Sequence, residues 1–219
     1  LTAGTTADYI VTGDWGKKAL KEAKKVGQTH LAASTEATNF KRIPAQSELT
    51  LTAGASYVHM TSNNTIHGTE WHHLPEVGDA PLVCDTSSDM FSRPMDISKY
   101  GLIYSGAQKN LGPSGVTVVI VREDLLARSA DSLPTMLNYK VHADNGSMYN
   151  TPPAFGIYIL GLVLKWLKGL GGLAAVEAVN VRKAAALYAE LDRSAFWTPH
   201  AEANCRSRMN ITFRLPSED

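Results

Sequence analysis

Five short runs of apolar residues lie in the first 121 positions of the chain, and each has the length of a β-strand. They are residues 7–11, 56–60, 81–84, 101–104 and 116–121. Apolar and polar positions alternate little within them, which indicates strands covered by helices on both faces. Three longer segments, residues 15–26, 153–168 and 173–191, are predicted as helices. Residues 31–33 are too short to assign, and residues 44–53 are predicted as a loop.

The alternation of strands and helices predicts an α/β layered domain with a mixed, mainly parallel sheet covered by helices. The KGLGG segment at 168–172 ends one predicted helix and marks a domain boundary. We therefore predict a large domain at residues 1–170 and the beginning of a smaller C-terminal α/β domain at residues 171–219. A strand at 209–213 would belong to the smaller domain. Because the chain opens on Leu and stops soon after a predicted strand, we expect both domains to be truncated.

Composition and charge narrow the range of functions. Apolar residues make up 44% of the chain and charged residues 19%, and 21 basic residues balance 21 acidic ones. There is no basic excess to attract nucleic acid or an anionic membrane. The longest apolar stretch, residues 154–164, is shorter than the about 20 residues that span a bilayer and is predicted to be a buried helix. With two distant cysteines and no signal peptide, the sequence favours a cytoplasmic protein.

Small polar residues follow three of the predicted strands, where open α/β sheets bind ligands. Two ionisable residues, Asp85 and Lys109, lie at neighbouring strand ends. A lysine after an apolar strand and a small-residue turn is partly desolvated, which favours its neutral, nucleophilic form. A carboxylate on the next strand can pair with the protonated ring nitrogen of pyridoxal phosphate. From spacing alone, a surface lysine and a turn-forming aspartate remain an equally open interpretation.

Longer sequence motifs distinguish between these interpretations. They are residues 63–68 (NNTIHG), 85–88 (DTSS) with 92–94 (SRP), 103–115 (IYSGAQKNLGPSG), 149–153 (YNTPP) and 206–210 (RSRMN). In these segments the chain closely resembles the phosphoserine aminotransferases, a family of class-V aminotransferases and fold-type-I pyridoxal-phosphate enzymes. The resemblance runs from about residue 7 onward. It implies the large domain of that fold.

The resemblance also implies a role for individual residues. Lys109 would hold the cofactor covalently and then move a proton, and Asp85 would pair with the pyridine nitrogen. Thr65 would contact the phenolic oxygen of the cofactor, and Gln108 would contact its phosphate. Trp15 would stack on the pyridine ring, although a packing role at a helix start is the simpler interpretation of that residue taken alone.

A homodimer with a shared site is a further implication. Asn150 and Thr151 would reach across the dimer interface to the phosphate of the partner subunit's cofactor. Without the resemblance, the two residues would equally be an ordinary helix start. The implied reaction transfers the amino group of glutamate to 3-phosphohydroxypyruvate, giving phosphoserine and 2-oxoglutarate in serine biosynthesis. A related phosphohydroxythreonine intermediate of pyridoxine biosynthesis is a second possible substrate.

The chain departs from the family in three ways. It has no counterpart of the N-terminal loop that holds the cofactor phosphate, and it lacks the terminal segments that hold the substrate. Asn64 stands where many members have Glu. We therefore expect the truncated chain alone to be poorly active. A non-catalytic fragment that binds pyridoxal phosphate or dimerises, and another fold-type-I enzyme, are the alternatives.

A histidine cluster raises the question of a metal. His67, His72 and His73 lie close together in the sequence, but no HExxH motif and no cysteine at zinc spacing accompany them. We therefore predict loop or packing histidines and no metal site.

Overall fold

The computed structural model describes residues 4–217, and ten strands and five α-helices lie within this range. In chain order they are β1 (Thr6–Val11), α1 (Asp14–Ala23), β2 (Gln28–Ser34), β3 (Val58–Thr61), β4 (Asn63–Asn64), β5 (Thr69–Glu70), β6 (Leu82–Asp85), β7 (Leu102–Gly106), β8 (Thr117–Val121), α2 (Glu123–Leu126), α3 (Tyr139–Asp144), α4 (Ala154–Gly169), α5 (Leu173–Arg193), β9 (Thr198–Pro199) and β10 (Phe213–Arg214).

Six strands form the main sheet, in the order β2-β1-β3-β6-β7-β8. All neighbouring pairs are parallel except β7 and β8, which are antiparallel. The predicted mixed, mainly parallel sheet is therefore confirmed. Asp85 at the end of β6 pairs with Thr61 of β3 and Tyr104 of β7. The carboxyl ends of these three strands consequently meet at one edge of the sheet.

One face of this sheet carries the larger hydrophobic core. Its central side chains are Ile10, Val58, Met60, Cys84 and Ile103, which pack with Met90, Leu111 and Leu160 from the covering segments. Each of the first five side chains is at most 1% exposed. Because successive residues of a strand point to opposite faces, the alternate positions of the same strands form the other face.

The other face is only partly covered. Near β1, the side chains of Tyr9 and Val11 pack with Ala23 of α1. Farther along the sheet, Tyr57 and His59 border a cavity of about 750 Å³. Side chains of α1, α2 and α3 border the same cavity, so helices lie along this face as well, with a cavity among them.

Two differences from the predicted elements have simple local causes. The sequence around residues 31–33 was too short to assign, but β2 is a seven-residue edge strand that pairs with β1 along its whole length. The segment is partly exposed and rich in polar residues, so its sequence does not indicate a strand. Its pairing with β1 makes it one. The strand predicted at 209–213 is wrong, since only Phe213 and Arg214 pair, with β9.

The helix predicted at 153–168 is confirmed as α4, but the prediction that this helix is buried is wrong. Only Leu160 and Leu167 of this helix are buried, whereas Phe155 is 76% exposed and Trp166 is 61% exposed. No single helix in residues 4–217 is both long and apolar enough to cross a bilayer; α4 and α5 meet that requirement only as a pair bent by 85°.

The predicted domains extend beyond the described residues at both ends, and the boundary near residue 170 stays a prediction.

Candidate active site

Three parallel strand ends and the first turn of α1 converge on the amine of Lys109. The Nζ atom donates hydrogen bonds to Thr65 Oγ1 at 2.7 Å and to Ser88 Oγ at 3.3 Å. The two hydroxyl oxygens lie 2.6 Å from each other. The ring of Trp15 has its centroid 5.0 Å from the same amine. Residues separated by up to 94 positions in the sequence thus surround one nucleophilic atom.

The environment of Lys109 favours the neutral amine. Partial burial lowers the pKa of Lys109, and the negative charge of Asp85 opposes that shift. A lower pKa increases the fraction of the amine that carries a free electron pair at neutral pH. The lysine side chain remains partly exposed in this chain, so water moderates the effect. The direction of the shift is the one that attack on a carbonyl carbon requires.

Asp85 is held by a turn immediately after its strand. Its Oδ1 atom accepts hydrogen bonds from the Ser87 backbone N at 2.9 Å and from Ser87 Oγ at 2.6 Å. Within residues 4–217, every hydrogen bond to this side chain ends on Oδ1. The Oδ2 oxygen is therefore available to a donor on a bound molecule.

Trp15 owes its position to a loop that β4 holds in place. Asn64 is buried, and its Nδ2 donates to Thr12 Oγ1 at 3.0 Å. His67 Nε2 lies 3.1 Å from Asp14 Oδ2 at the start of α1. These contacts fix the segment that precedes Trp15, which is 40% exposed and presents its ring toward Lys109.

Gly13 allows the Asn64 side chain to approach the start of α1, because glycine has no side chain. A Cβ atom built on Gly13 would clash with Asn64 Oδ1. Its φ of 173° is ordinary extended backbone, so steric contact alone demands glycine here. We predict that Gly13→Ala displaces Asn64 and lowers the free energy of unfolding by about 1–3 kcal/mol, the usual cost of overpacking.

Urea unfolding measures this prediction, with Gly161→Ala as the control. Gly161 lies inside α4 with open space around the position of a Cβ, so alanine there should raise stability by up to about 1 kcal/mol. If Gly13→Ala were as stable as the unmodified chain, the contact with Asn64 would not constrain this loop.

Within residues 4–217, the remaining predicted site residues make no side-chain hydrogen bond to Lys109, Thr65 or Ser88. The Gln108 amide folds back beside Gly106, where an added Cβ would meet it at 2.6 Å. Asn150 and Thr151 are exposed and line a separate groove beside β8 and α3. Asn150 Nδ2 donates to Met136 Sδ at 2.9 Å. The described chain does not bring Asn150 or Thr151 into hydrogen-bond contact with Lys109.

Ser87 and Ser88 contact the two ionisable residues directly, and neither is predicted from the sequence as a site residue. Both lie in the DTSS segment after β6. Serine two residues after aspartate is a known signal for a side-chain-stabilised turn. That signal could have identified Ser87, but the contact of Ser88 with Lys109 spans 21 residues and needs the fold.

A buried ionic cluster braces the loops behind the site. Asp89 and Glu70 are each 1% exposed, and Arg93 lies between them. The guanidinium is 3.6 Å from Glu70 Oε1 and 3.6 Å from Asp89 Oδ2. Ser62 Oγ donates to Asp89 Oδ1, which links the loop after β3 to the loop after β6. Burial raises the pKa of Asp89 to about 7, against the opposing effects of Ser62 and Arg93.

The histidines of the predicted loop serve in packing and hydrogen bonding. His67 packs on Phe40 with ring centroids 4.8 Å apart, and His72 Nε2 lies 3.1 Å from the Arg206 carbonyl oxygen. Across residues 4–217, no group of three or more His, Cys, Asp or Glu side chains has a geometry that could hold a metal ion.

Comparison with known proteins gives consistent matches. Residues 1–217 match the model of the family described as aminotransferase class-V. A curated phosphoserine aminotransferase of Herpetosiphon aurantiacus is 55% identical over 220 residues, covering 100% of this chain and 61% of that protein. The chain therefore spans about 61% of the length of this relative.

Solved structures agree closely in fold. The phosphoserine aminotransferase of Bacillus circulans subsp. alkalophilus has a TM-score of 0.96 at 53% identity, covering 98% of this chain and 60% of that one. The phosphoserine aminotransferase of Trichomonas vaginalis, solved with pyridoxal phosphate bound, has a TM-score of 0.92 at 36% identity, covering 98% and 62%. These matches confirm the predicted α/β fold of a fold-type-I large domain.

Proposed function

The chain belongs to the class-V aminotransferase family, and we propose that it forms the cofactor site of a pyridoxal-phosphate-dependent phosphoserine aminotransferase. The reaction transfers the amino group of glutamate to 3-phosphohydroxypyruvate and gives phosphoserine and 2-oxoglutarate. One observation carries the proposal: the amine of Lys109 has a lowered pKa and lies among two hydroxyls and an aromatic ring, within the field of Asp85. The phosphoserine aminotransferases among its relatives support the choice of reaction.

The described residues have the chemistry that pyridoxal phosphate requires. Lys109 Nζ would bond to the aldehyde carbon, and Asp85 Oδ2 would accept a hydrogen bond from the ring nitrogen. Trp15 would cover one ring face, Thr65 would donate to the phenolic oxygen, and the Gln108 amide would contact the phosphate. When bound, the cofactor supplies an electron sink for the bonding electrons of the amino-acid α-carbon.

Side chains of the protein position the Lys109 amine, which would move the proton of the substrate α-carbon. Thr65 and Ser88 hold the Lys109 amine by hydrogen bonds, so it cannot swing freely into solvent. The amine would take up the proton that leaves the substrate α-carbon, and partial burial, which lowers the pKa of Lys109, increases the fraction of the amine that is free to do so. The Asp85 carboxylate would provide a fixed negative charge that favours the protonated ring nitrogen.

The proposed enzyme is a homodimer whose cofactor sites are shared between subunits. Asn150 and Thr151 are exposed on a groove away from Lys109, which suits groups that act on the partner's cofactor phosphate. The substrates are small molecules, and phosphohydroxythreonine of pyridoxine biosynthesis is a second substrate. We place the enzyme in the cytoplasm, in keeping with two free, buried cysteines. Sedimentation at several protein concentrations tests the dimer, which a monomer at every concentration would contradict.

Covalent labelling tests the cofactor site. We expect protein carrying this chain to bind pyridoxal phosphate with visible absorbance, and borohydride to fix the cofactor on the peptide that contains Lys109. Mass spectrometry of the digest identifies the labelled lysine. Lys18 is the internal comparison, because its Nζ lies 4.3 Å from the centroid of the Trp15 ring but, within residues 4–217, does not share the hydrogen bonds of Lys109 to Thr65 and Ser88. Label on Lys18 and none on Lys109 would contradict the proposal.

A substrate assay tests the reaction. Amino transfer from glutamate to 3-phosphohydroxypyruvate should exceed transfer to unphosphorylated keto acids, whereas the reverse order would indicate another fold-type-I enzyme.

A second candidate function is cofactor binding without turnover. It is favoured by the coverage, since the chain spans 61% of the length of its relative. In that case the 219-residue chain would still label at Lys109 but would release no phosphoserine when mixed with both substrates. Measurable turnover by this chain would exclude the second candidate.

A further inference from the structure

The Ser87 side chain connects Asp85, at the end of β6, to the end of β7, the strand that precedes Lys109. Its hydroxyl donates to Asp85 Oδ1 at 2.6 Å and accepts a hydrogen bond from the Gly106 backbone N at 3.1 Å. Gly106 is the last residue of β7, three positions before Lys109. One oxygen atom therefore links the carboxylate at the end of β6 to the strand that delivers the amine.

A second Asp-x-Ser turn in the same chain shows which hydrogen bonds of Ser87 are local and which one depends on the fold. Asp96 Oδ1 accepts from Ser98 N at 3.2 Å and from Ser98 Oγ at 2.6 Å, as Asp85 does from Ser87. This turn is exposed, and the described residues offer the Ser98 hydroxyl no second partner. Aspartate and serine two apart form such turns without help from the fold. The bond from Gly106 to Ser87 is the added element.

We infer that Ser87 is a positioning residue for Asp85, an inference that rests on the proposed function. Two donors on Oδ1 oppose rotation of the carboxylate, so Oδ2 keeps one direction and would accept from a donor on the ring of a bound cofactor. The bond from Gly106 keeps the carboxylate at a constant separation from the strand end that carries Lys109. Within residues 4–217 the Ser87 hydroxyl contacts Asp85 and Gly106, so we assign it an action through Asp85.

Three variants isolate the hydroxyl. Ser87→Ala removes Oγ but keeps the backbone donor to Asp85, and Ser87→Thr restores a hydroxyl. Ser98→Ala is the matched control, because it breaks the same kind of bond to Asp96 in the exposed turn. Thermal unfolding verifies that each variant folds. Should Ser87→Ala not fold, Ser87→Cys replaces it, since a thiol is a weaker hydrogen-bonding group.

The first measurement needs no cofactor. Amide hydrogen exchange at Gly106 should be about two- to tenfold faster in Ser87→Ala, the range for loss of one hydrogen bond. Ser87→Thr should return the exchange rate to that of the unmodified protein, and Ser98→Ala should leave it unchanged.

The second measurement concerns the acid. In protein carrying this chain and reconstituted with ring-¹⁵N-labelled pyridoxal phosphate, the nitrogen chemical shift reports protonation of the ring. We expect a protonated nitrogen in the unmodified protein, a shift toward the unprotonated value in Ser87→Ala, and recovery in Ser87→Thr. Affinity for the cofactor should fall about tenfold in Ser87→Ala, the lower end for a hydrogen bond to a charged group.

The outcomes separate the two proposals. If the unmodified protein binds the cofactor on Lys109 but Ser87→Ala leaves the nitrogen shift unchanged, the inference is overturned and the proposed function stands. Faster exchange at Gly106 with an unchanged nitrogen shift also overturns it, because Ser87 would then only stabilise the strand end. If the unmodified protein does not bind the cofactor on Lys109, the proposed function fails, and the inference fails with it.

Discussion

Replacing Lys109 with alanine is expected to slow amino transfer from glutamate by at least about 10²–10⁴-fold, the range for losing one positioned acid–base group. The variant would lose the amine that we propose bonds to the cofactor and accepts the α-carbon proton. Thr65 and Ser88, which hold that amine, would remain in place. Steady-state and single-turnover rates with glutamate and 3-phosphohydroxypyruvate measure the effect.

Lys109→Arg gives a sharper control than alanine. Arginine keeps a cation and hydrogen-bond donors near Thr65, but its guanidinium stays protonated and cannot act as the nucleophile. We expect it to be as inactive as Lys109→Ala. Lys18→Ala, which removes the other amine near Trp15, should retain the rate of the unmodified protein. An active Lys109→Arg variant would contradict the role of Lys109 as the nucleophile and base.

The second large effect concerns folding rather than catalysis. Arg93→Ala is expected to lower the free energy of unfolding by about 3–5 kcal/mol at pH 8, because it leaves buried charge without its partner. Asp89 and Glu70 are each 1% exposed, and Arg93 lies 3.6 Å from a carboxylate oxygen of each. Denaturant unfolding of the cofactor-free protein measures the loss. Arg122→Ala, which breaks an exposed pair with Asp124, should cost about 0–1 kcal/mol.

The pH dependence of the Arg93→Ala loss follows from Asp89. Its pKa is raised to about 7 in the folded protein, above the unfolded value, so its charged form destabilises the fold as the pH rises from about 4 through 7. Arg93 opposes this effect, so the loss in Arg93→Ala should be largest above pH 7 and smaller at pH 5. Adding Asp89→Asn to Arg93→Ala should recover part of the stability at pH 8. An equal loss at both pH values would contradict this account.

Strand prediction succeeded where the sequence pattern was strong and failed where pairing decides. β8, with five β-branched residues in succession, was recognisable from the sequence alone. β2 was not, because it lies at the sheet edge and half of its pattern is polar. α4 was recognised as a helix from its length, yet its apolar side chains are largely exposed. Composition indicates that a segment is apolar, but what covers it depends on distant parts of the molecule.

The candidate site shows the same division. Asp85 and Lys109 were found because each follows an apolar strand, which the sequence displays directly. The family resemblance indicates Thr65 as a contact of the cofactor, but the hydrogen bonds that join Thr65 and Ser88 to Lys109 span 44 and 21 residues and depend on the fold. The ionic cluster around Arg93 was likewise invisible, because charged residues are usually on the surface.

The sequence by itself determined the α/β architecture, the two ionisable residues at strand ends and the family resemblance, because these depend on local patterns and short motifs. Only the tertiary structure decided which hydroxyls hold the Lys109 amine, how Ser87 links Asp85 to Gly106, and where the buried charges lie. The physical reason is that hydrogen bonds and ion pairs depend on distances of a few ångströms. Those distances are set when β3, β6 and β7 align in one parallel sheet.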